Sequence, residues 1–258
     1  MQQVPQSYLG VWQRRLIQHS SGRSDSETAV YWLQTPRLFA DLRIPPNSLP
    51  GLALEALSHA QRLALCEQKG FAGVTQVDAD ICQWHRKMDY QPVSGEEDIG
   101  RMQFETSERL LETALDDSYY EIWERLPDSL GVCRGQWLQA MDDPSRQGCL
   151  LLAGDYFLFA ASRPTPLTPG GHLREKISPQ NSTALLACEL SFGRHHAGRA
   201  PWQIECSTLP ANAGQCLLPS SIDPFAADLF ADETVMPSLG SVAPAQGWRC
   251  MPDPRQQT

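Results

Sequence analysis

The chain has 258 residues, of which 41% are hydrophobic and 20% are charged, a composition typical of a folded protein rather than a disordered one. Its formal net charge is −9, and this negative field disfavours nucleic acid and anionic membranes as partners. The first residues show no signal-peptide pattern and no apolar run is long enough to span a bilayer, so we expect a cytoplasmic location.

Alternating polarity predicts a β-hairpin early in the chain. In Leu38–Ile44, apolar residues at every second position alternate with Phe39, Asp41 and Arg43, and Ala29–Leu33 is rich in aromatic and β-branched residues. A helical period follows from Leu52 onward, with Ser48 as a candidate N-cap. With Gly70 at the C-cap position, this pattern predicts one helix over about 50–69.

Strand patterns dominate the rest of the chain. The further predicted strands are 73–77, 82–90, 101–105, 109–115, 119–126, 132–141, 149–153, 156–163, 184–192 and 202–208. Residues 165–182, with several Pro and Gly, are expected to form a surface excursion. Beyond Pro210 we expect a poorly ordered or strap-like tail with one short helix near 224–231.

One sequence pattern occurs twice. Residues Tyr8–Arg14 and Tyr119–Arg125 share the order Tyr, apolar, any residue, apolar, Trp, polar, Arg, and two shorter matches follow in the same order. Ordered self-similarity of this kind indicates a duplication. It predicts an N-terminal domain over 1–117, a related domain over 118–210 and the tail over 211–258.

Gly10-x-Trp12 resembles the G-x-W signature of lipocalins and the wider calycin group, in which the tryptophan closes the barrel floor and stacks with an arginine. Three longer strings resemble bacterial relatives of the fungal Hri family, casein-kinase-interacting proteins of unknown function. They are WLQTPRLFADLRIP (32–45), GFAGVTQ (70–76) and CQWHRKMDYQP (82–92). The resemblance covers about residues 8–210 and brings no catalytic residues. The expected fold class is therefore all-β, with tandem lipocalin-like antiparallel β-barrels and one helix near 50–69.

The candidate ligand-binding residues are Arg43, Trp84, Arg86 and Tyr90. The last three share one face of a regular strand, and inside a barrel their guanidinium and phenol groups could hold a carboxylate. In the structural alternative, Arg86 pairs with Asp41 or stacks on Trp84, and Asp41 and Arg43 face solvent, which avoids desolvating the pair. The pattern does not decide which face points inward.

No cofactor or metal site is expected. The eight cysteines lack C-x-x-C spacing and read as free thiols, mostly buried, and His195-His196 has no third ligand nearby. Nucleotide-binding glycine motifs are absent. His85 suits a general base, but Asp89 on the same strand lies too far away to orient it.

Three functions remain open. The first is non-enzymatic binding of a small apolar or carboxylate-bearing ligand in a barrel. The second is a protein-interaction adaptor whose barrels are filled by side chains. The third is a small-barrel enzyme that brings His85, Asp41 and Arg86 into one pocket.

Overall fold

The computed structural model describes residues 3–46, 49, 51–196, 201–218, 235–236, 247–252 and 254. These residues form two antiparallel β-sheets with a few short helices. Within the same ranges, no helix has the length and apolar character needed to cross a membrane.

The first sheet closes on itself as an eight-stranded antiparallel barrel. Its strands, in hydrogen-bonded order, are β1 (Gly10–His19), β3 (Ala29–Gln34), β4 (Leu38–Ile44), β5 (Lys69–Asp78), β6 (Ile81–Asp89), β7 (Asp98–Thr106), β8 (Arg109–Ala114) and β9 (Tyr119–Arg125). The short strand β2 (Ser24–Asp25) pairs with the end of β1. Strand β9 returns to β1, with Trp12 opposite Arg125, so the two end strands cover each other's edges. Eight strands in this up-and-down order are the arrangement of lipocalin barrels.

The repeated sequence pattern lies on neighbouring strands of this one barrel. Residues Tyr119–Arg125 form β9, which pairs with β8 on one side and with β1 on the other. The predicted division between residues 117 and 118 therefore does not follow the sheets, because it would remove the strand that closes the barrel. The shared Trp and Arg positions come from the closing contact and do not mark a second barrel.

The second sheet is open over the described residues. Its order is β14 (Gln203–Ser207), β13 (Glu189–Arg194), β12 (Tyr156–Ala161), β11 (Gln147–Ala153), β10 (Cys133–Ala140), β16 (Trp248–Met251) and β15 (Val235–Met236). No pairing within the described ranges joins β14 to β15, so these strands do not close a second barrel of the predicted tandem.

Part of the predicted tail belongs to this second sheet. Strand β16 pairs with β10, and Trp248 is fully buried against the sheet. Burial of the Trp248 side chain stabilises β16 in this position. The helix expected near 224–231 lies outside the described residues.

The two sheets share one hydrophobic core. The outer face of β3, β4 and β5 packs against one face of the second sheet, and Tyr31 stacks on Phe192 with ring centroids 4.3 Å apart. Arg163, just after β12, donates a hydrogen bond to the Tyr90 carbonyl at 2.7 Å. The fully buried side chains that the sheets contribute to this core include Leu33, Ala40, Leu42, Leu151, Leu158 and Phe192.

The helix predicted over 50–69 is shorter than expected. Helix α1 spans His59–Leu65, after a 3₁₀ turn at Leu54–Ala56. Ser58 is its N-cap, because the Ser58 hydroxyl accepts from the Gln61 amide and the Gln61 side chain accepts from Ser58. Gly70 is not a C-cap but part of β5, where a Cβ would lie 2.8 Å from the Leu190 side chain.

Two further short helices lie before β13. Helix α2 (Leu173–Lys176) lies within the predicted surface excursion. Helix α3 (Ser182–Leu186) occupies the start of the predicted strand 184–192, so that strand begins only at Glu189. The chain here must cross from one strand of the sheet to the next, and the helical turns cover the shared core.

Candidate functional site

The floor of the barrel is closed by an arginine stacked on a tryptophan. The Arg125 guanidinium lies 4.3 Å from the centroid of the Trp12 ring, and the Trp12 Nε1 donates to the Tyr8 carbonyl at 2.8 Å. Arg125 also donates to the Ser107 carbonyl at 2.8 Å and to the Leu9 carbonyl. This is the tryptophan–arginine contact that the lipocalin resemblance implies.

Aromatic side chains fill the middle of the barrel. Trp32 meets Trp84 and Trp123 edge to face, with ring centroids 5.5 and 5.9 Å apart. Between these rings, Phe39 and Phe71, the inner cavity has a volume of only about 10 Å³. That is room for about one water molecule, so the barrel interior is filled by its own side chains.

A network of buried charges lies above the aromatic layer. Arg43 Nε donates to Asp41 at 2.7 Å, and Arg14 bridges Glu121 and Asp25 at 2.9 Å each. The expectation that Asp41 and Arg43 face solvent is wrong, since Asp41 is only 3% exposed. Burial acts to lower the pKa of Arg43, but the charges of Asp41 and Glu121 raise it above its ordinary value. Pairing thus offsets the desolvation of these groups.

Glu112 is a functional candidate that the sequence analysis missed. Its carboxyl accepts from Trp123 Nε1 at 3.1 Å and from the Tyr119 hydroxyl at 3.4 Å. Burial, followed by the charges of Glu121 and Asp98, raises the pKa of Glu112 well above 4.5. The environment of Glu112 thus favours its uncharged form over its charged form. The inward face of β8, on which Glu112 follows Leu110 after two residues, was the available signal.

The open end of the barrel carries a cluster of cations. A mouth cavity of about 270 Å³ is lined by four cations, Arg14, Arg23, Arg43 and Lys69, and by two carboxylates, Asp25 and Glu67. Lys69 and Arg23 form no ion pair with any described residue, whereas Arg14 and Arg43 are held by carboxylates.

The pKa of Lys69 depends on its burial and on the charged groups around it. Desolvation lowers the pKa of Lys69, and the guanidinium groups of Arg43, Arg86 and Arg14 lower it further. The carboxylate of Asp89 acts in the opposite direction and raises the pKa of Lys69. With four cations against two carboxylates in its lining, the mouth cavity is a positive site on a chain whose net charge is −9.

Of the predicted ligand-binding residues, Arg43 and Trp84 line the inner cavity. Arg86 lies at the barrel rim, where its guanidinium covers Phe71 at 3.6 Å and binds Asp98 at 2.8 Å. It neither pairs with Asp41 nor stacks on Trp84 in the part of the chain that the structure describes.

Tyr90 lies outside the barrel, apart from the other three. Its hydroxyl donates to the Leu65 carbonyl at 3.1 Å, in the core between the two sheets. The cause is a β-bulge: Arg86 is opposite Gly73 and Met88 is opposite Ala72, which leaves Lys87 without a partner on β5. One extra residue exchanges the two faces of a strand, so Tyr90 no longer shares the face of Trp84.

The structure does not assemble the predicted catalytic group. His85 lies on the outer side of β6, with its Nε2 3.3 Å from the Gln76 side chain, whereas Asp41 lines the inner cavity and Arg86 lies at the barrel rim. His195 Nε2 lies 2.8 Å from the Gly154 carbonyl. Over the described ranges, no group of three or more His, Cys, Asp or Glu is placed to hold a metal ion, and the eight cysteines form no disulfide.

No protein-family model matches this chain, and no curated protein matches it. Among solved structures, an uncharacterized protein from Saccharomyces cerevisiae is 13% identical with a TM-score of 0.55, covering 94% of this chain and 97% of its own. A lipocalin-like protein from Bacteroides uniformis is 11% identical over 46% of this chain and 99% of its own, with a TM-score of 0.32, too low to support an argument. The similarity to the yeast protein extends over both sheets, so the chain shares its overall fold.

Proposed function

We propose that this protein is a non-enzymatic binding protein that holds a small carboxylate-bearing molecule at the open end of its barrel. The observation that carries the proposal is the mouth cavity, which places Lys69 and Arg23, without ion-pair partners among the described residues, beside Arg43. A carboxylate at this position would offset the positive potential there, and a guanidinium presents donors that match its two oxygens.

The filled interior limits the kind of ligand. Pockets for drug-sized molecules have volumes of roughly 300–1,000 Å³, whereas the inner cavity has about 10 Å³ and the mouth cavity about 270 Å³. We therefore propose a short, polar acid rather than an apolar ligand within the barrel. Of the four residues predicted from the sequence, Arg43 would contact the ligand, Arg86 would add to the positive potential, and Trp84 would support the layer beneath.

Isothermal titration of the full-length protein with succinate, citrate and benzoate, and with the matching amides, tests the proposal. We expect at least one acid to bind and its amide not to bind. Lys69→Gln and Arg23→Gln should each weaken binding by about tenfold, the effect of losing one charge-assisted hydrogen bond. Arg134→Gln is the matched control, since it removes an exposed cation from β10, far from the mouth. Equal affinity in Lys69→Gln and the unmodified protein would rule the site out.

A protein-interaction adaptor is the second candidate, and the filled barrel favours it. A barrel without a ligand cavity still offers its strand edges and loops as contact surfaces. The predicted relation to the fungal Hri family belongs to this proposal, supported at the level of fold by the likeness to the yeast protein over nearly all of both chains. One variant distinguishes the two candidates: Lys69→Gln should weaken binding of the acid by about tenfold yet leave the affinity for a protein partner unchanged.

A further inference from the structure

The barrel wall is incomplete between β6 and β7. Strand β6 pairs with β5 along almost its whole length, but it pairs with β7 only where Ile81–Trp84 lie opposite residues 98–101. Over residues 85–88, the side of β6 that faces β7 has no strand partner in the described chain. We propose that this edge binds an extended peptide segment with basic side chains, an activity independent of the carboxylate site.

A groove runs beside this unpaired edge. A strand-edge groove of about 390 Å³ lies between residues 83–89 of β6 and residues 93–98 of the following loop. A strand rises about 3.4 Å per residue, so the unpaired stretch can align four or five residues of a partner. Unpaired N–H and C=O groups on such an edge bind an added strand through main-chain hydrogen bonds.

The charges of the groove select the partner. Arg86 already binds both Asp89 and Asp98, at 3.0 and 2.8 Å. On the loop side, Glu96 and Glu97 are exposed and form no ion pair with any described residue. Carboxylates in the lining of the groove outnumber its two cations, Arg86 and Lys87. This excess favours Lys or Arg in the partner peptide and disfavours an acidic one.

Two further features of the groove are an exposed apolar residue and the β-bulge in β6. Val93 lines the groove and is 62% exposed, so its side chain is accessible to an apolar residue of the peptide. The bulge at Lys87 bends the edge and places a cation on it, which are two features that protect edge strands from unlimited pairing. The groove therefore suits one short strand with an apolar residue and flanking basic residues, rather than open-ended sheet extension.

The experiment starts from a displayed library of randomised heptapeptides selected on the full-length protein. We expect enriched sequences to contain Lys or Arg at alternating positions. Synthetic copies of the enriched peptide, with and without N-methylation of alternate backbone amides, are then titrated. N-methylation removes the hydrogen-bond donors but keeps the side chains, so binding should be lost in one of the two methylation registers.

Two measurements locate the binding. Glu96→Lys with Glu97→Lys should weaken the enriched peptide by about fivefold, as expected for two exposed ion pairs. The control pair Glu55→Lys with Asp142→Lys makes the same charge change at exposed positions away from the groove. Amide hydrogen exchange at residues 85–88 should slow when the peptide is bound.

Three results would overturn the proposal. They are failure to enrich any basic peptide, equal binding of both N-methylated forms, and peptide binding that leaves exchange at residues 85–88 unchanged. Concentration-dependent protection of the same amides without peptide would also overturn it, since a second copy of the chain would then occupy the edge.

Discussion

At the scale of single residues, the main finding is that several ionisable side chains are buried inside the barrel. The pair of Asp41 and Arg43 was visible in the sequence, but its inward direction was not, because alternation gives two faces without saying which is inside. Glu112 escaped notice because its environment is assembled from β9 and β7, far away in sequence. The sequence thus identified candidate residues, whereas their burial and their partners became clear only from the closed barrel.

Glu112 gives a testable pH dependence. Its pKa is raised in the folded state, so its contribution to stability is fully present below its ordinary pKa near 4.5 and is lost as pH rises toward the folded value. Glu112→Gln cannot ionise and can still accept the Trp123 hydrogen bond. Urea unfolding should find this variant more stable than the unmodified protein by more than about 1 kcal/mol at pH 8, the equivalent of one pKa unit.

This stability gain should shrink as the pH falls toward 4.5. Glu55→Gln, at an exposed position, should show no such trend. A difference in stability between Glu112→Gln and the unmodified protein that is constant at all pH values would contradict a raised pKa of Glu112 in the folded state.

At the scale of elements, the strands were largely predictable and their irregularities were not. Period-two patterns located most strands, whereas the Lys87 bulge moved Tyr90 from the proposed site to the outer core. A bulge adds one residue to a strand without a strong sequence signal. The long predicted helix failed for a different reason: its apolar residues are divided between a 3₁₀ turn and the short helix α1.

Gly73 is required by the bulge. A Cβ at Gly73 would lie 2.0 Å from the His85 carbonyl oxygen, a backbone atom that cannot move without disturbing β6. We expect Gly73→Ala to lower the free energy of unfolding by about 2–4 kcal/mol, measured by urea denaturation. Gly95→Ala is the comparison, because Gly95 has a positive φ of 81° but nothing nearby, and it should cost about 1 kcal/mol. Similar costs for the two variants would contradict the proposed clash.

At the scale of the whole molecule, the closed barrel and the second sheet share one hydrophobic core. The sequence repeat pointed to two domains, but the repeated residues meet across β1 and β9 of a single barrel. The sequence alone could not distinguish these two cases. A repeated pattern can mark two domains, but it can also arise in two strands that pair with each other and use the same residue types at their contact. The second sheet then covers the outer face of β3, β4 and β5.

This shared core predicts coupled unfolding. Phe192 lies on β13 of the second sheet and stacks on Tyr31 of the barrel and on Tyr156 of β12. Phe192→Ala should destabilise the protein by about 3–5 kcal/mol. Native-state hydrogen exchange should show reduced protection in barrel strands β3 and β4 as well as in β12. Unchanged protection in β3 and β4 would show that the barrel is stable without the second sheet.

A crystal structure of the full-length protein soaked with the tightest-binding acid tests the central claim most directly. The account predicts density for the carboxylate in the mouth cavity, within hydrogen-bond distance of Lys69 and Arg43, with Trp32, Trp84 and Trp123 in unchanged positions. Density for the acid inside the barrel, with those rings displaced, would contradict the claim that the interior is a filled scaffold and the open end the binding site.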